Sequence, residues 1–250
     1  SLFEQYLISG LEQDYLKVKE YYEKSVNLGN STVFLILGNL YFNGDGVEKD
    51  YLKAKKYFEK AADLDNFTAI CKIGDLYFSG YGVEQDYLKA KEYYEKAANL
   101  GDPATISKIA NLYFSGYGVE QDYLKAKDYY EKAAELKDPD AITNLGYLYE
   151  NGYGVKQDYL KAKEYYEEAE KLNDSNAMNN LGELYKNGHA VEQDILKAKK
   201  YYEKAANLNN PTAINSLGDL YYEGNGVEQD YLKAKEYYEK AEKLNDSNAM

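Results

Sequence analysis

The sequence contains no arginine and no tryptophan, one histidine (His189), one cysteine (Cys71) and three prolines. Without arginine, the side chain that grips phosphate bidentately is missing, and 30 lysines stand against 43 acidic residues for a net charge of −13. That balance argues against nucleic acid and anionic membrane surfaces as partners. A single cysteine forms no internal disulfide, so thiol usage points to no compartment. A lone loop histidine reads as solvated; with no second histidine or nearby cysteine it supports neither a zinc site nor a Ser–His–acid set. The longest apolar run, Val33 to Leu37, is far too short to span a bilayer, and no basic segment with an apolar stretch opens the chain, so no membrane insertion is expected.

What the sequence does have is tyrosine, 31 residues against seven phenylalanines, within a 44% hydrophobic composition. This predicts a core that is amphipathic rather than oily. The chain also has a repeat. An aspartate opens the same phrase at Asp14, Asp50, Asp86, Asp122, Asp158, Asp194 and Asp230, always 36 residues apart. The first half-repeat is degenerate and the last is incomplete. Because both ends fall inside the pattern, the chain reads as a piece of something longer, and residues 1–250 read as one continuous array.

Each unit holds two helical patterns. In the fourth, Ala141, Ile142, Leu145, Leu148 and Tyr149 form one face of a 3.6-residue period, helix A. Leu160, Ala162, Tyr165, Tyr166, Ala169 and Leu172 are read as the core face of helix B, with Lys163 and Glu167 paired outside. Asn30, Asn66, Asp102, Asp138, Asp174 and Asn210 precede helix A as candidate N-caps, and Pro103, Pro139 and Pro211 sit at the first helical position, where a missing N–H costs nothing. The aspartate series caps helix B, whose exits carry Gly29, Gly101, Asn173 or Asn209. A glycine within helix A (Gly38, Gly74, Gly146, Gly182, Gly218, with Ala110 as the substitute) predicts close approach by a neighbouring helix. The final segment, from Glu242, starts another A helix that is never completed, and its last nine residues are expected to fray or dock elsewhere.

The phrase seen at Ala141, Leu145, Gly146, Tyr149, Gly152, Gly154, Val155, Asp158, Lys161, Ala162, Tyr165 and Tyr166 resembles the SEL-one-like repeat family, relatives of the tetratricopeptide repeat with a slightly longer turn, and the resemblance covers nearly the whole chain. It implies an all-α fold: a right-handed α/α superhelical solenoid of about seven helix-turn-helix units, with A helices lining the inner surface. It implies an adaptor or scaffold for protein complexes, in bacteria often in envelope, signalling or host-interaction processes and in eukaryotes in protein quality control. A helicobacter subgroup staples each repeat with a cysteine pair; this chain has no such pairs, so β-lactam binding reported for that subgroup is not carried over.

The G-x-G turns follow a helix rather than a strand and lack the lysine of a phosphate loop. The turn Asn43-Gly44-Asp45-Gly46 lacks the closing bidentate glutamate of a calcium loop. Cys71, without a histidine activator, reads as an inert thiol. No catalytic residue, metal ligand or cofactor is expected. The tyrosine pairs read as core with hydroxyls at the rim, and the tyrosines opening helix B (Tyr51, Tyr87, Tyr123, Tyr159, Tyr231) as packing over the preceding turn.

Partner contacts are sought where the units disagree, on the A-helix columns beside the core stripe. These give Lys72, Asp75, Lys108, Asn111, Asn144, Tyr147, Asn180, Glu183 and Asp219 as candidate contact residues for a protein or peptide, since amides can both donate to and accept from a peptide backbone. One turn on, Phe42, Phe78 and Phe114 give way to Glu150, Lys186 and Tyr222. The leading expectation is a non-enzymatic scaffold gripping a polypeptide on its concave face. The alternatives are a self-assembling array or spacer joined end to end and, as the least favoured, a hydrolase or β-lactam-binding activity of the kind claimed for some relatives.

Overall fold

The computed structural model describes residues 30–249, with side chains through Leu244. The Asp14 marker, the degenerate first half-repeat and Gly29 lie outside the described residues. The described residues form twelve helices and no strand: α1 Ser31–Asn43, α2 Tyr51–Ala62, α3 Phe67–Ser79, α4 Tyr87–Asn99, α5 Pro103–Ser115, α6 Tyr123–Glu135, α7 Pro139–Asn151, α8 Tyr159–Lys171, α9 Ser175–Asn187, α10 Ile195–Asn207, α11 Pro211–Glu223 and α12 Tyr231–Ala249. Odd numbers are A helices and even numbers B helices. The packing divides into a first unit ending at Ala126 and a second starting at Lys127. In the first, α1 pairs with α2 and α3 with α4, while α2 packs on α3 and α4 on α5. In the second, α7–α8, α9–α10 and α11–α12 are the hairpins, joined through α8 on α9 and α10 on α11.

Local chemistry explains where the helices begin and end. Asp50, Asp86, Asp158 and Asp194 each accept the backbone N–H three residues on, at 2.9–3.0 Å, satisfying an orphan donor of the first turn. Among the A-helix caps, Asn66, Asp138, Asp174 and Asn210 do the same. Asp102 makes no such bond and instead accepts from the Thr105 hydroxyl. A helices stop at glycines in the left-handed region, such as Gly80 and Gly152, both at φ 74°. B helices exit through Gly101, Asn173 and Asn209, also at positive φ, joined there by Asp65 and Lys137.

The B-helix core face consists of Ala162, Tyr166 and Ala169, all fully buried. The sequence reading of Leu160 and Leu172 as core is corrected: they are 63% and 38% exposed. Leu160 lies two residues before Ala162, about 200° around the helix, and so faces outward. Leu52, Leu88, Leu196 and Leu232 repeat this exposure in their own units.

The glycine within helix A has a more specific cause than helix proximity. A Cβ built on Gly146 would lie 2.5 Å from Cε1 of Tyr166, and one on Gly182 2.4 Å from the same atom of Tyr202. Gly74 faces Tyr94 and Gly38 faces Phe58 in the same way. The glycine is a seat for the aromatic ring of the partner B helix.

A second aromatic layer binds each hairpin. Tyr77 stacks on Tyr93 with centroids 5.7 Å apart, and Tyr149–Tyr165, Tyr185–Tyr201 and Tyr221–Tyr237 repeat the geometry at 5.6–5.7 Å. Lys161, Lys197 and Lys233 lay their ammonium groups 4.1–4.2 Å from the A-helix ring of each stack, a cation–π contact that accounts for the lysine three residues after the capping aspartate. At the C-terminal end, α12 runs unbroken to Ala249, so the expected start of another A helix is absent. The Asn-Asp pair that separates a B helix from the next A helix at residues 173–174 lies inside α12 at residues 245–246. Tyr238 is only half-buried, whereas Tyr202 is fully covered.

Candidate protein-binding surface

The candidate residues occupy two columns of helix A, three residues apart and therefore side by side on one face. One column, directly after the seat glycine, holds Asp75, Asn111, Tyr147, Glu183 and Asp219; the other holds Lys72, Lys108, Asn144 and Asn180. The glycine seat decides what they meet. Each buried ring passes over the glycine and delivers its hydroxyl to this face. Tyr94 donates to Asp75 Oδ1 at 2.9 Å, Tyr202 to Glu183 Oε1 at 2.6 Å and Tyr238 to Asp219 Oδ1 at 2.7 Å. In α7 the column residue is Tyr147, and Tyr166 donates instead to Glu150 Oε2, at 2.6 Å. Phe58 has no hydroxyl, and the residue after its glycine is Asn39, not an acid.

These hydroxyls remain neutral donors. Burial, reinforced by the adjoining carboxylate, holds Tyr94, Tyr166 and Tyr202 far above the ordinary tyrosine range and pushes Tyr238 up to about 12. The bonds are charge-assisted and hold the carboxylates in place.

In the first unit the face is more self-contained. The Lys108 ammonium pairs with Asp75 Oδ1 and sits 5.5 Å from the Tyr94 ring centroid. Burial lowers the Lys108 pKa, but Asp75 and Cys71 beside it more than offset this and leave it raised. Burial and then Asp75 push the Cys71 thiol up, so it stays protonated, as expected of an inert thiol. Lys72 places Nζ 5.8 Å from the Phe42 ring centroid. In the second unit Asn144 and Asn180 are half-buried, Asn180 lies within hydrogen-bonding reach of the Tyr166 hydroxyl, and Tyr147 is 39% exposed. The second unit thus presents Glu150, Glu183 and Asp219, each steadied by a tyrosine, beside amides; the first presents a lysine–carboxylate pair. Reading the columns missed Glu150 as a member of this set. The signal that could have found it is the match between units: Tyr94, Tyr166, Tyr202 and Tyr238 each face an A helix with a carboxylate at one of two positions, whereas Phe58 faces Asn39 and Phe42, and Tyr130 alone among these tyrosines faces an amide and a ring, Asn111 and Phe114.

The turns form a separate edge. Tyr51 stacks on Tyr81 of the following turn at 4.9 Å, with Phe42 edge-on to both, and Tyr87, Tyr117 and Phe78 repeat this. Tyr51, Tyr87 and Tyr159 therefore stack on the following turn, in addition to contacts with the preceding turn that the sequence suggested, Lys49 over the Tyr51 ring and Gln157 on the Tyr159 hydroxyl. His189 is corrected: it is half-buried with its ring 4.3 Å from that of Tyr159, because it fills the column that elsewhere holds the stacking tyrosine. In the Asn43–Gly46 turn, Asp45 accepts from Asn43 Nδ2 at 3.0 Å. Among the described residues, no group of three or more His, Cys, Asp or Glu side chains is placed to hold a metal ion, and no helix is long and apolar enough to cross a membrane.

Comparison with known proteins places this arrangement. The Sel1 repeat model matches residues 4–30, 35–66, 68–102, 106–138, 139–174, 175–210 and 211–246. The chain is similar to a Sel1 repeat protein from Oxalobacter formigenes at 32% identity and a TM-score of 0.78, over 92% of this chain and 97% of that one. It is similar to c5321, a protective antigen of uropathogenic Escherichia coli with an SLR fold, at 31% identity and a TM-score of 0.70; that match covers 90% of this chain and 48% of the antigen. Immunity protein Pa5087 from Pseudomonas aeruginosa shares the fold at 24% identity and a TM-score of 0.60, over 77% of this chain and 74% of that one. No curated protein matches the chain in sequence. With the repeat model covering most of its length and close structural likeness to repeat proteins of that kind, the chain belongs to the Sel1 repeat family, whose members are commonly protein-interaction scaffolds.

Proposed function

We propose that this protein is a non-enzymatic scaffold that grips an extended polypeptide segment along the concave A-helix surface. The observation that carries the reading is the row of carboxylates Glu150, Glu183 and Asp219, each held by a tyrosine hydroxyl at 2.6–2.7 Å. Groups already fixed in position lose little conformational freedom when a partner arrives, which favours binding. Carboxylates accept from backbone N–H groups and cations, the adjoining amides of Asn144 and Asn180 both donate and accept, and a net charge of −13 selects a neutral or basic segment.

The test is partner capture by a combined variant, Asn144→Ala, Tyr147→Ala, Asn180→Ala and Glu183→Gln. Glutamine is chosen at 183 because alanine would strip the Tyr202 hydroxyl of its acceptor, at a cost of about 1–3 kcal/mol. Capture should be lost, while melting stays close to that of the parent. The comparison variant changes Lys163, Glu167 and Lys199 on the outer faces of α8 and α10, where Lys163 and Glu167 pair at 2.6 Å; it should retain the partner. Loss in the outer variant with retention in the inner one would overturn the proposal. A second reading, self-assembly into an array, is favoured by the exposed Leu160, Leu196 and Leu232 recurring at the repeat period. Light scattering that rises with concentration and collapses on changing these leucines to serine would establish it instead.

A further inference from the structure

We propose that the turn edge of the first unit is a second binding surface, on which a lysine- or arginine-bearing extended segment lays its cations against the outer faces of Tyr81 and Tyr117 beside Glu84 and Glu120. The surface is separate from the A-helix columns and its existence does not depend on them.

The rings are fixed by the backbone beneath them. Gly82, at φ +67°, comes so near the start of α2 that a Cβ there would lie 2.7 Å from Tyr51 Cβ, and Gly118 approaches Tyr87 to 2.6 Å by the same measure. Glycine lets each of these turns settle onto the preceding B helix at this distance without left-handed strain. The result is a pair of stacks, Tyr51–Tyr81 at 4.9 Å and 15° and Tyr87–Tyr117 at 5.0 Å and 20°. Phe42 and Phe78 abut Tyr81 and Tyr117 edge-on, at 6.1 and 5.8 Å. One face of each outer ring is therefore covered, the ring's orientation is set, and the tyrosines stay 43% and 44% exposed.

Lys49 and Lys72 reach the inner rings, Tyr51 and Phe42, at 5.9 and 5.8 Å, but the turns that carry the outer rings hold charge of one sign. Residues 79–86 and 115–122 each contain a glutamate and an aspartate and no cation. Asp86 and Asp122 are occupied, capping their helices and pairing with Lys89 and Lys125. Glu84 and Glu120 are exposed on the same turns. An electron-rich ring face with a carboxylate next to it is the arrangement that recognises an ammonium or guanidinium group. A second copy of the chain would bring another −13 of charge to this edge, so the occupant indicated is a basic polypeptide. Successive repeats are separated by a helix-packing distance, on the order of 10 Å, which an extended chain covers in about three residues. The fitting segment carries a cation at every third position.

The experiment is calorimetric titration of the full chain, at low ionic strength, with a capped Arg-Gly-Ser repeat peptide and with its citrulline counterpart, which keeps the shape and loses the charge. Saturable binding of the arginine peptide alone is expected. Tyr81→Leu with Tyr117→Leu should weaken it about tenfold, Tyr81→Phe with Tyr117→Phe should leave it within about twofold, because phenylalanine keeps the ring face, and Glu84→Gln with Glu120→Gln should weaken it several-fold. Glu183→Gln with Asp219→Asn, on the A-helix face, should leave it unchanged. Equal binding of both peptides, full affinity in the leucine variant, or a loss as large in the A-helix variant would each overturn the proposal. So would a concentration-dependent dimer abolished by the leucine changes, which would make the occupant a second copy. Should the leucine variant fail to fold, the citrulline contrast and the glutamine pair decide: loss in both supports the surface, and retention in either overturns it.

Discussion

The turns of the first unit and those of the second share a backbone and differ in chemistry. Gly80 and Gly152 both end their helices at φ 74°, and the tyrosine stacks inside the hairpins have the same 5.7 Å spacing at Tyr77–Tyr93 and Tyr221–Tyr237. Yet the turn edge carries Phe42, Phe78 and Phe114 with Asp45, Tyr81 and Tyr117 in the first unit, whereas the equivalent positions of the second hold Glu150, Lys186 and Tyr222 with Tyr153, His189 and Asn225. A fold that tolerates both sets does not need either one. Glu150 shows what replaces the lost ring: it turns to the A-helix face and takes the Tyr166 hydroxyl. The first unit therefore concentrates its distinctive chemistry at the turns and the second on its A helices, over a common frame of glycine seats and stacked tyrosines.

The largest expected effect tests that common frame. Buried tyrosines whose folded pKa lies above the unfolded value of about 10 stabilise the fold while neutral; Tyr201 and Tyr238 are raised to about 12 by burial and by neighbouring carboxylates. Their contribution is fully present below pH ~10 and is lost as pH climbs from there through the folded values, because only the unfolded chain can ionise at first. Urea denaturation should show constant stability from neutral pH to about 9 and a steep decline above about 10; a flat profile there would contradict the burial of these hydroxyls.

The next effect is local to a seat. Gly146→Val should cost about 2–3 kcal/mol by overpacking. Gly146→Ala should also destabilise, by about 1 kcal/mol, since even one carbon would stand 2.5 Å from the Tyr166 ring. Equal melting of parent and both variants would show that the ring can move aside. Smaller again is the hydroxyl contrast between the units: Tyr202→Phe should lose about 1–2 kcal/mol with its charge-assisted bond to Glu183, whereas Phe58→Tyr, with Asn39 on the neighbouring column instead of a carboxylate, should be nearly neutral.

The smallest effect sharpens the comparison of turns. Ala190 holds φ 60° in a column that is otherwise glycine, and Ala190→Gly should raise stability by about 1 kcal/mol by relieving the left-handed strain. Gly82→Ala, meeting Tyr51 Cβ at 2.7 Å, should do the reverse. If both changes move melting in the same direction, the two turns are not equivalent after all.

Much of this fold was legible in the sequence because its signals are local. The Asp50–Asp230 series caps helices through a bond three residues away, and Gly101, Asn173 and Asn209 take the left-handed conformation from their own chemistry. The candidate site was legible only in outline. Scanning columns found Asp75, Glu183 and Asp219 as variable polar positions, but their partners Tyr94, Tyr202 and Tyr238 lie 19 residues on, across a turn whose path no local period describes. Leu160 was misread for a related reason: it is an apolar residue close to the core stripe in sequence, yet it points the other way around the helix.

The sequence by itself determined where the helices before α12 begin and end and the repeat that stacks them, since caps, turn glycines and the 36-residue period act over distances of a few residues; it did not determine the run of α12 to Ala249. Only the tertiary structure decided what the recurring glycine is for, which carboxylate receives which hydroxyl, and which tyrosines keep an open face. Those outcomes depend on the approach of side chains from different helices, where a single carbon at Gly146 or Gly82 would collide with a ring or a neighbouring Cβ at 2.5–2.7 Å, and close packing of that kind is a property of assembled surfaces rather than of any one segment.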